Sequence, residues 1–151
     1  MSNRFTVLAP LATLAIVSAA QAAPLNLVLR SNPDITSGLI QVNFNNATRV
    51  LTATGAALTL DLDGLAPPDH GITNGIFTLN ATLSTTGVIS AATLTITGSI
   101  AALAGATSPL LTANLTAFGF SSAPLTQIFE FTGPVTGGSQ ASRYGASTGV
   151  I

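Results

Sequence analysis

Residues 74–100 read NGIFTLNATLSTTGVISAATLTITGSI, and this stretch decides the fold class. In FTLNATL and again in TLTIT, apolar residues occupy every second position and Thr or Asn fills the positions between them. A period of two is typical of a β-strand with one buried face and one wet face, as in antiparallel sheets. The letters TTG between the two runs are a turn signal. The stretch therefore predicts a β-hairpin over residues 76–97.

The same alternation continues on both sides of this hairpin. It appears in QVNFN (41–45), in ALTLDL (57–62) and in IFEFT (128–132), where it places Glu130 on the wet face. The turn signal Asn-Asn after the first of these runs predicts a second hairpin, over residues 39–54. About eight short strands with Gly or Pro between them are typical of a sandwich or barrel. The sequence predicts an all-β, single antiparallel β-sandwich-like domain.

Two segments depart from this strand pattern. Residues 100–106 are rich in alanine, and we expect them to form one helical turn. The C-terminal segment 133–151 is rich in Gly, Ser and Thr. Such a composition predicts a loose loop followed by a short edge segment.

The N-terminus carries the pattern of an export signal. Arg4 precedes an apolar run over residues 5–17, and Ala-Gln-Ala at 20–22 matches a cleavage site. We predict a secretory signal peptide at 1–22 and a mature domain at 23–151, which is secreted and extracellular or held at the cell surface. No later apolar segment reaches the roughly 20 residues that a membrane-spanning helix needs, so we expect no transmembrane span in the mature chain.

The composition excludes several classes of function. The chain of 151 residues has four basic residues, five acidic residues, one histidine and no cysteine. Only 6% of its residues are charged, against about 25% in an average soluble domain. Nucleic acids and anionic lipid surfaces are therefore disfavoured as partners, because both need a basic patch. Without cysteine there are no disulfides and no thiolate metal sites, and we expect no cofactor.

The segment DLDGLAPPDHG, residues 61–71, holds three of the five acids and the only histidine. Asp61, Asp63 and Asp69 form a weak calcium candidate, because calcium prefers oxygen ligands in acidic loops. The alternative is a polar loop, in which Asp-Gly begins a turn. His70 alone cannot build a zinc site, which normally has three or four protein ligands.

Three further patterns resemble parts of known sites. The string GFSSA, residues 119–123, lacks the final glycine and the following helix of a nucleophile elbow. Glu130 with one aspartate is all that is available for glycoside hydrolysis, which needs two carboxylates facing across a cleft. A row of threonines on one strand face is interpreted as ordinary outward residues: Thr93, Thr95 and Thr97. The sequence predicts no catalytic residues and no enzymatic activity.

Four segments resemble parts of a known family: residues 33–55, 74–100, 110–120 and 128–138. These segments are similar to the small-residue hairpins of exported bacterial PEP-CTERM proteins. The shared pattern is a strand of the form F-x-L-x-A-x-L, a turn ending in T-G and a strand carrying L-T-I-x-G. The resemblance implies an exported all-β surface or matrix protein, in a group linked to exopolysaccharide, and implies no catalytic residues. The family's sorting tail, a Val-Pro-Glu-Pro-like motif with an apolar helix and a basic end, does not occur in this sequence.

Together these observations predict a secreted or cell-surface structural or matrix protein. Its uncharged strand faces favour self-association or contact with extracellular polysaccharide, because like-charge repulsion is small and strand edges are templates for pairing. The alternative is a carbohydrate-binding module without catalytic activity. Such modules stack sugar rings on exposed aromatic side chains, and this chain has no Trp and a single Tyr, Tyr144.

Overall fold

The computed structural model describes residues 22–28, 32–65, 70–123 and 126–150. This part of the chain is mostly strand and contains one short helix. The elements are β1 (Asp34–Asn45), β2 (Val50–Asp61), β3 (His70–Gly71), β4 (Thr73–Leu83), β5 (Ile89–Ser99), β6 (Leu111–Asn114), β7 (Ala117–Ala123), β8 (Thr126–Gly137), α1 (Ala141–Tyr144) and β9 (Ser147–Val150).

The strands form one antiparallel sheet that is curled into a half-barrel. Pairing runs from β1 through β2, β4, β5 and β6 to β8, with the two-residue β3 beside β2. Phe131 and Thr132 of β8 pair with β7 and also with β9, so these two strands lie on opposite edges of β8. β6 leads directly into β7, and both of these strands pair with β8. β6 and β7 therefore form one continuous row of the sheet. The sheet is therefore a meander in which successive rows are neighbours.

The register between strands places the buried apolar side chains of the strands on the inner face of this sheet. Ala53 pairs with Leu79, Leu79 with Leu94, and Leu94 with Ala113. These residues are buried, and they continue into the ring pair Phe118–Phe131, whose centroids are 4.9 Å apart. Because side chains alternate between faces, the register that buries these residues also turns the intervening Thr and Asn outward.

Polar side chains stabilise the turns of the two main hairpins. The Asn45 carboxamide oxygen accepts hydrogen bonds from the backbone N–H groups of Ala47 and Thr48, at 2.9 and 3.1 Å. The Ser84 hydroxyl accepts from the N–H of Val88 at 3.0 Å. Gly87 completes that turn with a φ of 78°, a conformation that glycine adopts without steric cost. Both predicted hairpins are confirmed, and both are longer than predicted.

The all-β prediction is confirmed, and the prediction of a sandwich is not. Strand pairing continues without a break from β1 to β9, so the described strands form one curled sheet instead of two packed sheets. The helical turn expected at 100–106 is wrong, because these residues form hydrogen-bonded turns. The described helix is α1, in the C-terminal segment.

The C-terminal segment is more ordered than its composition predicts. Residues up to Gly137 extend β8, and β9 supplies the expected edge segment. Gly133 remains in the strand for a steric reason: a Cβ atom there would collide with the backbone oxygen of Asn114. Glycine in this segment therefore permits close strand approach and does not indicate a loose loop.

The predicted signal peptide lies almost wholly outside the described residues, of which residue 22 is the first. Within the described part of the chain, no helix is long and apolar enough to cross a membrane.

We expect Leu79→Ala to lower the free energy of unfolding by about 2–5 kcal/mol, because it removes a core side chain that is 1% exposed. The matched control is Leu39→Ala, since Leu39 is 95% exposed and its truncation should change stability by less than about 0.5 kcal/mol. Urea denaturation of the two variants measures the difference. Equal losses in both variants would show that Leu79 does not lie in the core.

Candidate functional site

The acidic loop after β2 is organised by its own carboxylates. One oxygen of Asp61 accepts hydrogen bonds from the backbone N–H groups of Asp63 and Gly64, at 3.1 and 2.8 Å. One oxygen of Asp63 accepts from the N–H of Leu65 at 2.8 Å. These are the contacts by which aspartate initiates turns. They support the polar-loop interpretation, in which the carboxylates satisfy the backbone.

The calcium candidate is only partly covered by the structure, because Asp69 lies outside the described residues. His70 is half-buried in β3 and pairs with Leu60 of β2. Among the residues that the structure describes, no three or more His, Asp or Glu residues are grouped so that they could hold a metal ion.

GFSSA and Glu130, the two patterns compared with catalytic sites, both lie in regular strands. The string GFSSA forms the last five residues of β7, and its Ser121 and Ser122 pair with Ile128 and Gln127 of β8. A nucleophile elbow needs a sharp turn from a strand into a helix, whereas this serine pair lies within a regular paired strand. Glu130 belongs to β8.

Glu130 is buried, which corrects the prediction that it lies on a wet strand face. Its side chain is 4% exposed and lies beneath the segment 22–28. One carboxylate oxygen accepts hydrogen bonds from the backbone N–H groups of Leu25 and Asn26, at 2.7 and 3.2 Å. The other accepts from the N–H of Leu27 at 2.7 Å. A buried carboxylate is tolerated when donors compensate its lost hydration, and here three donors come from one segment.

The close approach of this segment depends on Gly119, the cross-strand partner of Glu130. A Cβ atom on Gly119 would lie 2.5 Å from the Leu25 nitrogen and 2.9 Å from a Glu130 carboxylate oxygen. Any side chain there would therefore displace the segment. We call Glu130 and Gly119 the arm cradle, and residues 22–28 the N-terminal arm.

A cavity of about 710 Å³ lies between the start of β1 and the α1–β9 region. Its wall includes Asp34 and Ser37 of β1, and Arg143 and Tyr144 of α1. The Ser37 and Tyr144 hydroxyl oxygens are buried and have no hydrogen-bond partner among the described residues. The remaining wall includes buried core side chains, such as Leu94. The cavity therefore combines an apolar surface with polar groups that the described part of the protein does not satisfy.

Two ionisable groups of this cavity have perturbed pKa values. Burial raises the pKa of Asp34 above its ordinary value, and the neighbouring carboxylate of Asp61, its cross-strand partner, raises it further. Hydrogen bonds from Thr36 and from the Ile35 backbone partly oppose this shift. Burial also raises the pKa of Tyr144, and the charge of Asp34 adds to the effect. Tyr144 therefore remains a neutral hydroxyl at physiological pH.

The outer face of the sheet carries two rows of hydroxyl and amide side chains. Residues that are direct partners in the register share a face, so each row crosses five neighbouring strands, β1, β2, β4, β5 and β6. The first row is Gln41, Thr54, Thr78, Thr95 and Thr112. The second row is Asn43, Thr52, Asn80, Thr93 and Asn114. We call these ten residues the polar face.

The geometry of the polar face is regular. Neighbouring strands lie about 4.8 Å apart, and alternate residues along a strand lie about 6.7 Å apart. None of the ten side chains carries a charge, and all are exposed or half-buried. The Thr112 hydroxyl also contacts that of Thr136 in β8, at 3.1 Å, which extends the face by one strand.

Sequence reasoning found one element of this face and missed the rest. Thr93 and Thr95 were recognised as a row along one strand, but their cross-strand partners follow only from the register. Ser37 and Tyr144 gave no local signal, because they come together from opposite ends of the chain. The arm cradle had one available signal: a single acid in an otherwise apolar strand, IFEF.

Comparisons with protein-family models, with curated proteins and with solved structures gave no match to this chain.

We expect Glu130→Gln to detach the N-terminal arm. The amide oxygen can still accept hydrogen bonds, but the amide NH₂ group faces backbone donors. Each remaining bond also weakens from about 1.5–3 kcal/mol, typical of a charged acceptor, to about 0.5–1.5 kcal/mol. Hydrogen exchange at Leu25 and Leu27 should accelerate by about tenfold or more, which NMR measures directly. The control is Asp63→Asn, the same chemical change at an exposed turn. Unchanged exchange at both amides in Glu130→Gln would contradict the role of the cradle.

We expect Asp34→Asn to stabilise the protein at neutral pH. The pKa of Asp34 is raised above 3.8 in the folded state, so the folded protein binds this proton more readily than the unfolded chain does. Stability from this group therefore falls as pH rises through the folded-state pKa, and it is restored at low pH. Asp34→Asn should raise the Tm at about pH 7 and lose that advantage near pH 3.

Thermal unfolding at both pH values tests this expectation, again with Asp63→Asn as the exposed control. A Tm advantage of Asp34→Asn that is the same at both pH values would contradict the electrostatic cause.

Proposed function

We propose that this protein is an exported structural or matrix component of the cell surface, which adheres to neutral extracellular polysaccharide through its polar face. The observation that carries the proposal is the pair of five-strand rows of Thr, Asn and Gln. Hydroxyl and amide groups both donate and accept hydrogen bonds, as do the hydroxyls of a sugar chain. A repeating polymer can contact many such groups at once, so weak single contacts add up to stable adhesion.

The charge distribution supports a neutral partner over a charged one. The polar face carries no ionised group, so it offers no Coulomb attraction to an anionic or cationic polymer. The aromatic platforms that hold sugars in many binding modules are not part of the polar face. We therefore expect broad adhesion to hydroxyl-rich polymers and not high-affinity recognition of one sugar.

The export signal at 1–22 and the resemblance to PEP-CTERM proteins support the cell-surface location. The arm cradle is consistent with export followed by cleavage of the signal peptide. The predicted cleavage point follows residue 22, and the residues whose N–H groups Glu130 binds, 25–27, lie shortly beyond it. After cleavage, the new N-terminal segment would be the one held by the cradle.

Self-association is a second candidate, and a specific observation favours it. Among the described strands, β1 pairs with β2 alone, so the backbone groups along its other edge are open. Three apolar side chains at that edge, Ile40, Val42 and Phe44, are each more than 40% exposed. An open edge with exposed apolar side chains is a template for pairing with a second copy.

Co-sedimentation with insoluble cellulose tests adhesion to polysaccharide. We expect the wild-type protein to pellet with cellulose and the double variant Thr78→Val/Thr95→Val to bind about tenfold or more weakly. Valine keeps the shape and strand preference of threonine but removes two hydrogen-bonding groups of about 1 kcal/mol each. The matched control is Thr48→Val/Thr107→Val, which changes two exposed threonines outside the polar face.

Sedimentation velocity without cellulose, at several protein concentrations, separates adhesion from self-association. A sedimentation coefficient that rises with concentration supports pairing through β1, and a constant monomer value contradicts it. Adhesion is contradicted if the wild type does not pellet with cellulose, or if the polar-face variant binds as well as its control.

A further inference from the structure

We infer that the cavity between β1 and the α1–β9 region is a binding site for a small, uncharged, polyhydroxylated molecule, which the Tyr144 and Ser37 hydroxyls hydrogen-bond. This site shares no residue with the polar face, so it does not depend on the function proposed above.

The size and position of the cavity fit a small ligand. Its volume of about 710 Å³ lies within the range of roughly 300–1,000 Å³ that is typical of ligand pockets. The wall is formed by segments distant in sequence: the end of the N-terminal arm, β1, the inner faces of β4 to β6, and α1 with β9. Sites built in this way are held in place by the packing of the whole fold.

The two hydroxyl groups point to a ligand that makes hydrogen bonds. A buried hydroxyl without a partner costs about 1–3 kcal/mol of stability, and most buried polar atoms in proteins are paired. Here the two residues that carry such atoms, Ser37 and Tyr144, both line the same cavity. A molecule that bears several hydroxyls can donate to one oxygen and accept from the other.

The charged groups and the apolar side chains of the cavity wall indicate which class of ligand the cavity can bind. Among the described residues, the cavity wall holds one acid, Asp34, and one base, Arg143, so these groups favour neither a net anion nor a net cation. The Arg143 guanidinium also donates to the Gln140 side chain at 2.8 Å, which partly satisfies it. The apolar wall, including Leu94 and Ile96, suits C–H groups. A neutral sugar or polyol combines hydroxyls with C–H surfaces in this way.

The effect of removing the Tyr144 hydroxyl on stability distinguishes a role in ligand binding from a role in the fold. If the Tyr144 hydroxyl serves only a ligand, Tyr144→Phe removes an unsatisfied group, and the ligand-free variant should be as stable as the wild type or more stable. If the hydroxyl stabilised the fold, the same change would lower the Tm. Stability and ligand binding are therefore expected to change in opposite directions.

The test is a titration of the protein with glucose, galactose, cellobiose and glycerol, followed by ¹⁵N-HSQC NMR. We expect saturable shifts of backbone amides in residues 34–37 and 143–149 with at least one of these probes. Tyr144→Phe and Ser37→Ala should each weaken that binding about three- to tenfold, as expected for one neutral hydrogen bond. Ser99→Ala, at an exposed serine of β5, is the matched control and should bind normally.

Glucuronate and glucosamine serve as charged probes of similar shape. The inference is overturned if none of the four neutral probes gives saturable shifts up to about 50 mM, a concentration that would nearly saturate a site of millimolar affinity. It is also overturned if only the charged probes bind, or if Tyr144→Phe lowers the Tm of the ligand-free protein and leaves affinity unchanged.

Discussion

The register between β4 and β5 is the constraint on which the rest of the structure depends. Leu79 faces Leu94 across the pair, and the flanking Phe77–Ile96 and Ala81–Ala92 pairs continue the same buried face. A slip of one residue would turn this face outward and bury threonine in its place. Because all six of these side chains are buried, a slip would expose them to water, and the register is strongly determined. The strands on either side then extend the same inner surface.

That one constraint also produces the outer surface. The polar face exists because every residue between two buried ones must point to the other side of the sheet. The chain fills these positions with Thr, Asn and Gln instead of Lys and Glu, and threonine packs well on a pleated strand through its branched Cβ. The hydrophobic core lies on the inner face, which leaves the composition of the polar face free for contact with a partner.

The arm cradle and the cavity show two different ways in which this fold treats buried polar groups. At Glu130, three backbone donors of the N-terminal arm satisfy the carboxylate. At Ser37 and Tyr144, the described part of the protein supplies no partner. The first arrangement fixes a segment in place, and the second leaves two buried hydroxyl groups without a hydrogen-bond partner among the described residues. Functional sites are where such local costs are expected, since a ligand can offset them.

The sequence by itself determined the all-β class, both hairpins and the neutrality of the outer strand positions, because a period of two is a local property of the chain. Only the tertiary structure decided that the strands form one curled sheet, that Glu130 is buried beneath residues 25–27, and that Ser37 and Tyr144 share a cavity. These features depend on which strands become neighbours and on how segments from opposite ends of the chain meet. Alternation along a strand assigns each side chain to a face, but it does not specify what will cover that face.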